Sequence, residues 1–195
     1  MDGYTEIMVD FAEGRITAEL FVDVLRSSID IREILNEKIG RDVSSYILTR
    51  NVNSVSGCFS VYSIIADYLK LINVSFVADE GYLERFRFLL DAVCGYLEED
   101  SAVERYIDEK IIKTMPDNLS KTKQIAYCKK RQKELFRYDD KPPRWIQNCE
   151  WAFNEKGEPM VFRYQKEIQE GAFTKFLYYF YDPLTGETVE VEQYD

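Results

Sequence analysis

Lys141-Pro142-Pro143-Arg144-Trp145-Ile146-Gln147-Asn148-Cys149-Glu150-Trp151 decides the fold. Before this stretch, apolar residues recur at helical spacing; after it, they alternate as in strands. Neither proline can donate a backbone hydrogen bond, and each biases the preceding residue away from helix. Both tryptophans of the chain and four of its five prolines lie from residue 141 onward. The prolines therefore mark a change of periodicity and do not require a flexible linker.

Downstream, residues 160–168, 173–181 and 187–193 are rich in β-branched and aromatic side chains with period-two character. Glu155-Lys156-Gly157-Glu158-Pro159, Gln169-Glu170-Gly171 and Asp182-Pro183-Leu184-Thr185-Gly186 supply turn chemistry before and between them. The pattern predicts a three-stranded antiparallel meander. On its middle strand Phe173, Leu177, Tyr179 and Tyr181 alternate with Phe176, Tyr178 and Phe180, so both faces are apolar. One face should rest on helices and the other be covered or bind something.

Upstream, the pattern is helical. Ile7, Met8 and Phe11 share a face ahead of Gly14, and Thr17 is placed to cap a helix whose stripe is Leu20, Phe21, Val24 and Leu25. Further helices are expected over 29–38, 54–72 and 80–98; residues 42–52 suit a helix start or a short buried strand equally and are assigned to helix. The 80–98 helix would turn Leu83, Phe86, Leu89, Leu90, Val93 and Leu97 inward. Ser101-Ala102-Val103-Glu104 is a capping box that opens a helix stopped by Pro116, and Ser120 caps a last one to about Phe136. The expected fold class is α+β: an N-terminal helical bundle, residues 1–140, followed by the antiparallel β-meander, residues 141–195, packed on it.

With 46% hydrophobic and 14% aromatic residues, the chain can bury a substantial core. Its net charge of -10, distributed over both portions, disfavours a protein that grips nucleic acid by its phosphates. No uncharged run reaches the roughly 18 residues of a transmembrane helix, and the N-terminus lacks a basic secretory leader. A cytoplasmic protein with no membrane partner is expected. Cys58, Cys94, Cys128 and Cys149 form no CxxC pair and read as reduced, mostly buried thiols. The chain has no histidine, which excludes Ser-His-Asp, Cys-His and His-ligated metal chemistry. No cofactor or metal site is expected.

Five features invite a functional reading beside a plainer one. Glu98-Glu99-Asp100 suits either acid-base work or a solvated loop at a helix N-terminus. Lys121, Lys123, Lys129, Lys130, Arg131, Lys133 and Arg137 meet only Glu134 on one predicted helix, as a basic face or as partners of acids in the same chain. Cys58 and Lys175 read as a core thiol and a surface amine, against a reactive thiol and an amine of lowered pKa. Trp145, Glu150, Trp151, Tyr178 and Asp182, with Tyr179 and Tyr181, have the composition of a protein-binding hot spot. The alternative is that the tryptophans pin the meander to helices.

Pro142-Pro143-Arg144-Trp145-Ile146-Gln147-Asn148, Glu150-Trp151 and Gly157-Glu158-Pro159-Met160-Val161-Phe162 resemble a pattern of bacterial immunity-like proteins from polymorphic-toxin neighbourhoods. Tyr179-Phe180-Tyr181-Asp182-Pro183 with Thr185-Gly186-Glu187 is similar in style; Cys149 and Ala152 depart from the pattern where prolines would stand. The resemblance covers about the last quarter of the chain and implies no catalytic residues. It implies a non-enzymatic inhibitor that covers a basic toxin domain with an acidic, aromatic surface. Two other readings stand beside it: a scaffold or regulatory subunit assembling through the β edge or the basic helix, and a carboxylate-dependent hydrolase.

Overall fold

The computed structural model describes residues 3–39, 42–92 and 97–195. The order is α1 (Gly3–Ala12), α2 (Ala18–Ser27), α3 (Ile29–Ile39), α4 (Val43–Leu48), α5 (Val55–Leu71), α6 (Glu80–Ala92), α7 (Ala102–Ile107) and α8 (Lys121–Leu135). β1 (Val161–Glu170), β2 (Phe173–Tyr181) and β3 (Thr188–Tyr194) follow. The fold is α+β: helices first, then an antiparallel sheet in the order β1-β2-β3. The chain separates into two compact units, residues 1–87 and 88–195, dividing inside α6. The handover of periodicity at residue 140 therefore falls within the second unit, and α7 and α8 share that unit with the sheet.

In the first unit, Met8, Phe11, Phe21, Leu25, Ile31, Leu35, Ile47, Ile65 and Leu69 are fully buried together. Phe11 stacks on Phe21 at 4.6 Å between ring centres. Thr17 Oγ1 accepts from the Leu20 N–H and Ser54 Oγ from the Gly57 N–H, as expected of caps worth about 1 kcal/mol each. Gly14 must be glycine: its φ is +71°, and a Cβ there would lie 2.5 Å from Asp79 Oδ2. Two inward assignments change. Leu20 is 51% exposed while Val22 takes the buried place on α2, and Leu90 is 48% exposed on α6. The α6 helix is described over Glu80–Ala92, and Leu97 and Glu98, expected at its end, are not helical. Val93, expected to point inward, and the thiol of Cys94 lie outside the described residues, as does Gly40 after α3.

In the second unit, Ser101 Oγ accepts from the Glu104 N–H, and buried Glu104 reaches back to the Asp100 N–H at 2.7 Å. The reciprocal half of the capping box thus lands one residue earlier than the pattern prescribes. A π-helical turn over Asp108–Ile112 extends α7 and buries Ile111 and Ile112. Tyr106 on α7 donates to Glu158 Oε2 at 2.6 Å and packs edge-on against Phe136, which closes α8. Residues 137–139 then lie against the first residues of β1, with Phe162 N–H donating to Arg137 O and Asp139 N–H to Phe162 O. This segment and the aromatic contacts tie the meander to the helices of its own unit.

Among the described residues, no helix is long and apolar enough to cross a membrane, and no three Cys, Asp or Glu side chains gather as a metal site would require.

Candidate functional site

The two faces of the sheet follow from its register. On one face Phe162 pairs with Phe180 and Val189, Gln165 with Tyr178 and Val191, and Glu167 with Phe176 and Gln193. On the other, Tyr164 pairs with Tyr179 and Glu190, Lys166 with Leu177 and Glu192, and Ile168 with Lys175 and Tyr194. The pairing slips between Phe162 and Tyr164. The extra residue of this bulge, Arg163, is why two side chains two positions apart face opposite ways.

The first face is the core of the unit. Tyr178 and Phe180 are fully buried there. Trp145 lies on Tyr178 at 4.5 Å between centres, and Trp151 meets Phe180 at 5.5 Å and Phe136 at 5.1 Å, both edge-on. The Trp151 indole N–H donates to Met160 O at 2.7 Å, and the Tyr178 hydroxyl to Arg144 O at 2.9 Å. Burial pushes the Tyr178 phenol upward in pKa. Gln193, 1% exposed, fastens the connecting loop to β3. Its carbonyl accepts from the Ile146 and Gln147 N–H groups, and its amide donates to Asn148 O and Glu150 Oε1. Asp182, 4% exposed, organises the β2–β3 turn: its carboxylate accepts from the Leu184 N–H at 2.9 Å and from Asn154 Nδ2 at 3.1 Å. Those bonds, the Leu184 N–H foremost, hold its pKa down.

The expected hot spot is corrected accordingly. Trp151, Tyr178 and Asp182 are buried, so they serve the fold and cannot be the surface a partner meets. Glu150 and Trp145 are half-buried, the first bonded to Gln193 and the second packed at a tilt against Tyr178. The Trp145 indole N–H is buried with no hydrogen-bond partner among the described residues.

The second face carries the exposed aromatic surface. Tyr164 is 45% exposed, Tyr194 46%, Ile168 38% and Phe173 63%, the last two on the β1–β2 hairpin where residues 166–173 are all exposed. Tyr164 stacks on Tyr179 at 4.6 Å, and the Lys166 ammonium lies 5.7 and 5.4 Å from those two rings. Lys175 pairs with Glu192 at 2.8 Å, and the Tyr194 hydroxyl donates to the same carboxylate at 2.9 Å. The Glu192 carboxylate raises the Lys175 pKa, and the Lys175 ammonium lowers that of Glu192. This is opposite to the lowered amine considered for Lys175. Glu190 and Asp139, as acceptors, raise the phenols of Tyr179 and Tyr181. The face thus alternates tyrosine with charge, and β3, an edge strand, adds Glu190 and Glu192, flanked by Glu187 and Asp195, with no base between residues 187 and 195. Tyr164 and Tyr194 were not among the expected site residues; their signal was aromatic residues in step with Lys166, Glu190 and Glu192.

Of the other candidate features, several are engaged within the chain, and the α8 lysines remain exposed. Asp100 pairs with Arg105 at 3.1 Å. Burial pushes the Cys58 thiol up to about 11, which keeps it protonated at neutral pH. A hollow of about 550 Å³ in the first unit carries Asp42, whose Oδ1 already accepts from the Ser45 N–H, Asn36 and Ser44. On α8 only Cys128 is buried; the lysines are exposed, and Lys130 and Arg131 share Glu134.

Comparison with family models, with curated proteins and with solved structures finds no match for this chain.

Proposed function

We propose that the protein is a non-enzymatic protein-binding protein, an immunity-type inhibitor that covers a basic toxin domain. The observation that carries this reading is the outward sheet face, where Tyr164, Tyr179 and Tyr194 stand beside Phe173 and Ile168 next to an acidic edge strand. Tyrosine suits such a surface because it offers a large contact area with few torsions to freeze and a hydroxyl for orientation. The acidic edge and the chain's charge of -10 would steer a basic partner toward this side and speed encounter. The hairpin carrying Phe173 would enter a concavity of the partner, while the buried aromatics beneath keep the sheet stiff. The thiols of Cys58 and Cys128, in no disulfide, suit a reducing compartment, and we place the protein in the cytoplasm.

The test is a titration calorimetry series with the polypeptide encoded by the adjacent gene. Wild-type protein should form a complex whose affinity falls with added salt. The Tyr164→Ala, Tyr179→Ala double variant should weaken it while keeping its thermal midpoint close to wild type. Unchanged affinity in a folded double variant removes the sheet face from the interface.

A further inference from the structure

A second surface lies in the unit of residues 88–195, on α8. Lys123, Lys129, Lys130 and Lys133 fall on one side of this helix and are all exposed. The single acid of the helix, Glu134, is held by Arg131 at 2.6 Å and lies 3.8 Å from Lys130. Beside this lysine face runs a groove of about 390 Å³, within the size range of ligand clefts, roughly 300–1,000 Å³. Lys129 and Lys133 line one wall, and Pro142, Pro143, Tyr138 and Trp151 supply an apolar remainder. Asp91 lies on the same lining, one carboxylate against two ammonium groups.

We propose that this groove docks a short acidic segment of a partner polypeptide in extended conformation. Lys129 and Lys133 are one helical turn apart, a rise of about 6 Å. Alternate side chains of an extended chain are separated by about 6.6 Å. Two acids at positions i and i+2 would therefore each meet one ammonium, and an apolar side chain next to the pair would rest on Pro142 and Tyr138, both exposed on the same lining. Charge selects a short segment over a long polyanion. At physiological salt, fields fade over about 8 Å. A short acidic segment would feel the local lysines, whereas nucleic acid or an anionic membrane would extend over a chain of net charge -10. The surface is separate in residues from the sheet face above and does not depend on what that face binds.

The experiment is selection of random twelve-residue peptides displayed on phage against the wild-type protein, followed by anisotropy titration of the synthetic winners. Enriched sequences should carry two acids at i and i+2 beside an aromatic or aliphatic residue. The Lys129→Glu, Lys133→Glu variant, and the neutral Lys129→Gln, Lys133→Gln variant, should each bind about tenfold or more weaker with an unchanged far-UV spectrum. Replacing the two acids of the peptide with glutamine should do the same, and Tyr164→Ala with Tyr179→Ala should leave peptide binding intact. Failure to enrich, winners without acids, or full binding to the lysine variants overturns the proposal. Tighter capture of a single-stranded oligonucleotide, or of phosphatidylserine vesicles, through the same two lysines overturns it as well.

Discussion

Tyr178 and Tyr179 are neighbours in the chain and differ in what their environments ask of them. Tyr178 is fully buried against Trp145, with its hydroxyl given to a backbone carbonyl. Tyr179 is half-buried among Tyr164, Lys166 and Glu190 on the opposite face. The same side chain thus serves as core on one face and as surface on the other. Two aromatic faces on one strand need not both be core; an aromatic face interleaved with charge can remain in water, because the rings of Tyr164, Tyr179 and Tyr194 lie beside an ammonium and the hydroxyls of Tyr179, Tyr181 and Tyr194 find a carboxylate.

The largest effect that tests this contrast is truncation on the inner face. Trp151→Ala and Tyr178→Ala should each destabilise the protein by about 3–5 kcal/mol, the range for large buried aromatics. Urea denaturation followed by circular dichroism measures it. A loss below about 1 kcal/mol for either would mean that the inner face is not the core, and the assignment of the two faces would have to be exchanged.

Gln193 comes next. Its replacement by alanine leaves the Ile146 and Gln147 N–H groups and the Asn148 carbonyl without their partner. A fully buried group left so costs about 1–3 kcal/mol, and these part-buried ones cost less because water can enter. We expect a destabilisation of about 2–3 kcal/mol, with faster hydrogen exchange at residues 146 and 147. Unchanged exchange there would show that the loop is held by the tryptophans alone.

On the outer face the expected order reverses. Tyr164→Ala with Tyr179→Ala should cost about 1 kcal/mol of stability, the scale of one cross-strand aromatic pair. It should cost about 2 kcal/mol or more in complex with the partner, the scale of a hot spot. Calorimetric binding and thermal melting of the same preparation compare the two numbers directly. Equal losses in both would make the outer tyrosines structural as well.

The division of roles was only half legible in the sequence. Alternation along residues 173–181 shows that the middle strand has two apolar faces, and the turns at 169–171 and 182–186 give the meander and its order. Which face is core does not follow from alternation, because Phe176, Tyr178 and Phe180 carry one hydroxyl and Leu177, Tyr179 and Tyr181 carry two, too small a difference to choose between two aromatic faces. The choice is made by distant partners: Trp145 and Trp151 arrive from the loop, and Phe136 from the end of α8. The Arg163 bulge then puts Tyr164 opposite Tyr179, a shift that no two-residue period reveals. The same limit explains Leu20 and Leu90. Helical spacing gives a stripe, but its margins are decided by which neighbours are there to cover them. The tryptophans have the composition of a hot spot and equally of a clamp on the meander, because composition is shared by cores and interfaces; burial separates them.

The smallest expected effect is electrostatic and concerns the Lys175–Glu192 pair on the outer face. Glu192 is held below its ordinary value of 4.5, first by Lys175 and then by the Tyr194 hydroxyl. Its folded-state pKa is depressed, so its contribution is present above about pH 4.5 and is lost as pH falls through the lower folded value. Lys175 is raised above 10.5 by Glu192, so its contribution is present below that value and is lost as pH rises through the higher folded one. Between these limits the pair should be intact, and because it faces solvent it should add little to stability. Carboxyl-carbon NMR titration should place Glu192 below 4.5, and Lys175→Met should move it back toward that value with no resolvable change in the thermal midpoint. A Glu192 that titrates at its ordinary value, or ignores Lys175→Met, would show that the pair does not persist in solution. The outer face would then present its tyrosines on a more mobile surface, and the stiffness of the proposed interface would have to come from the inner face alone.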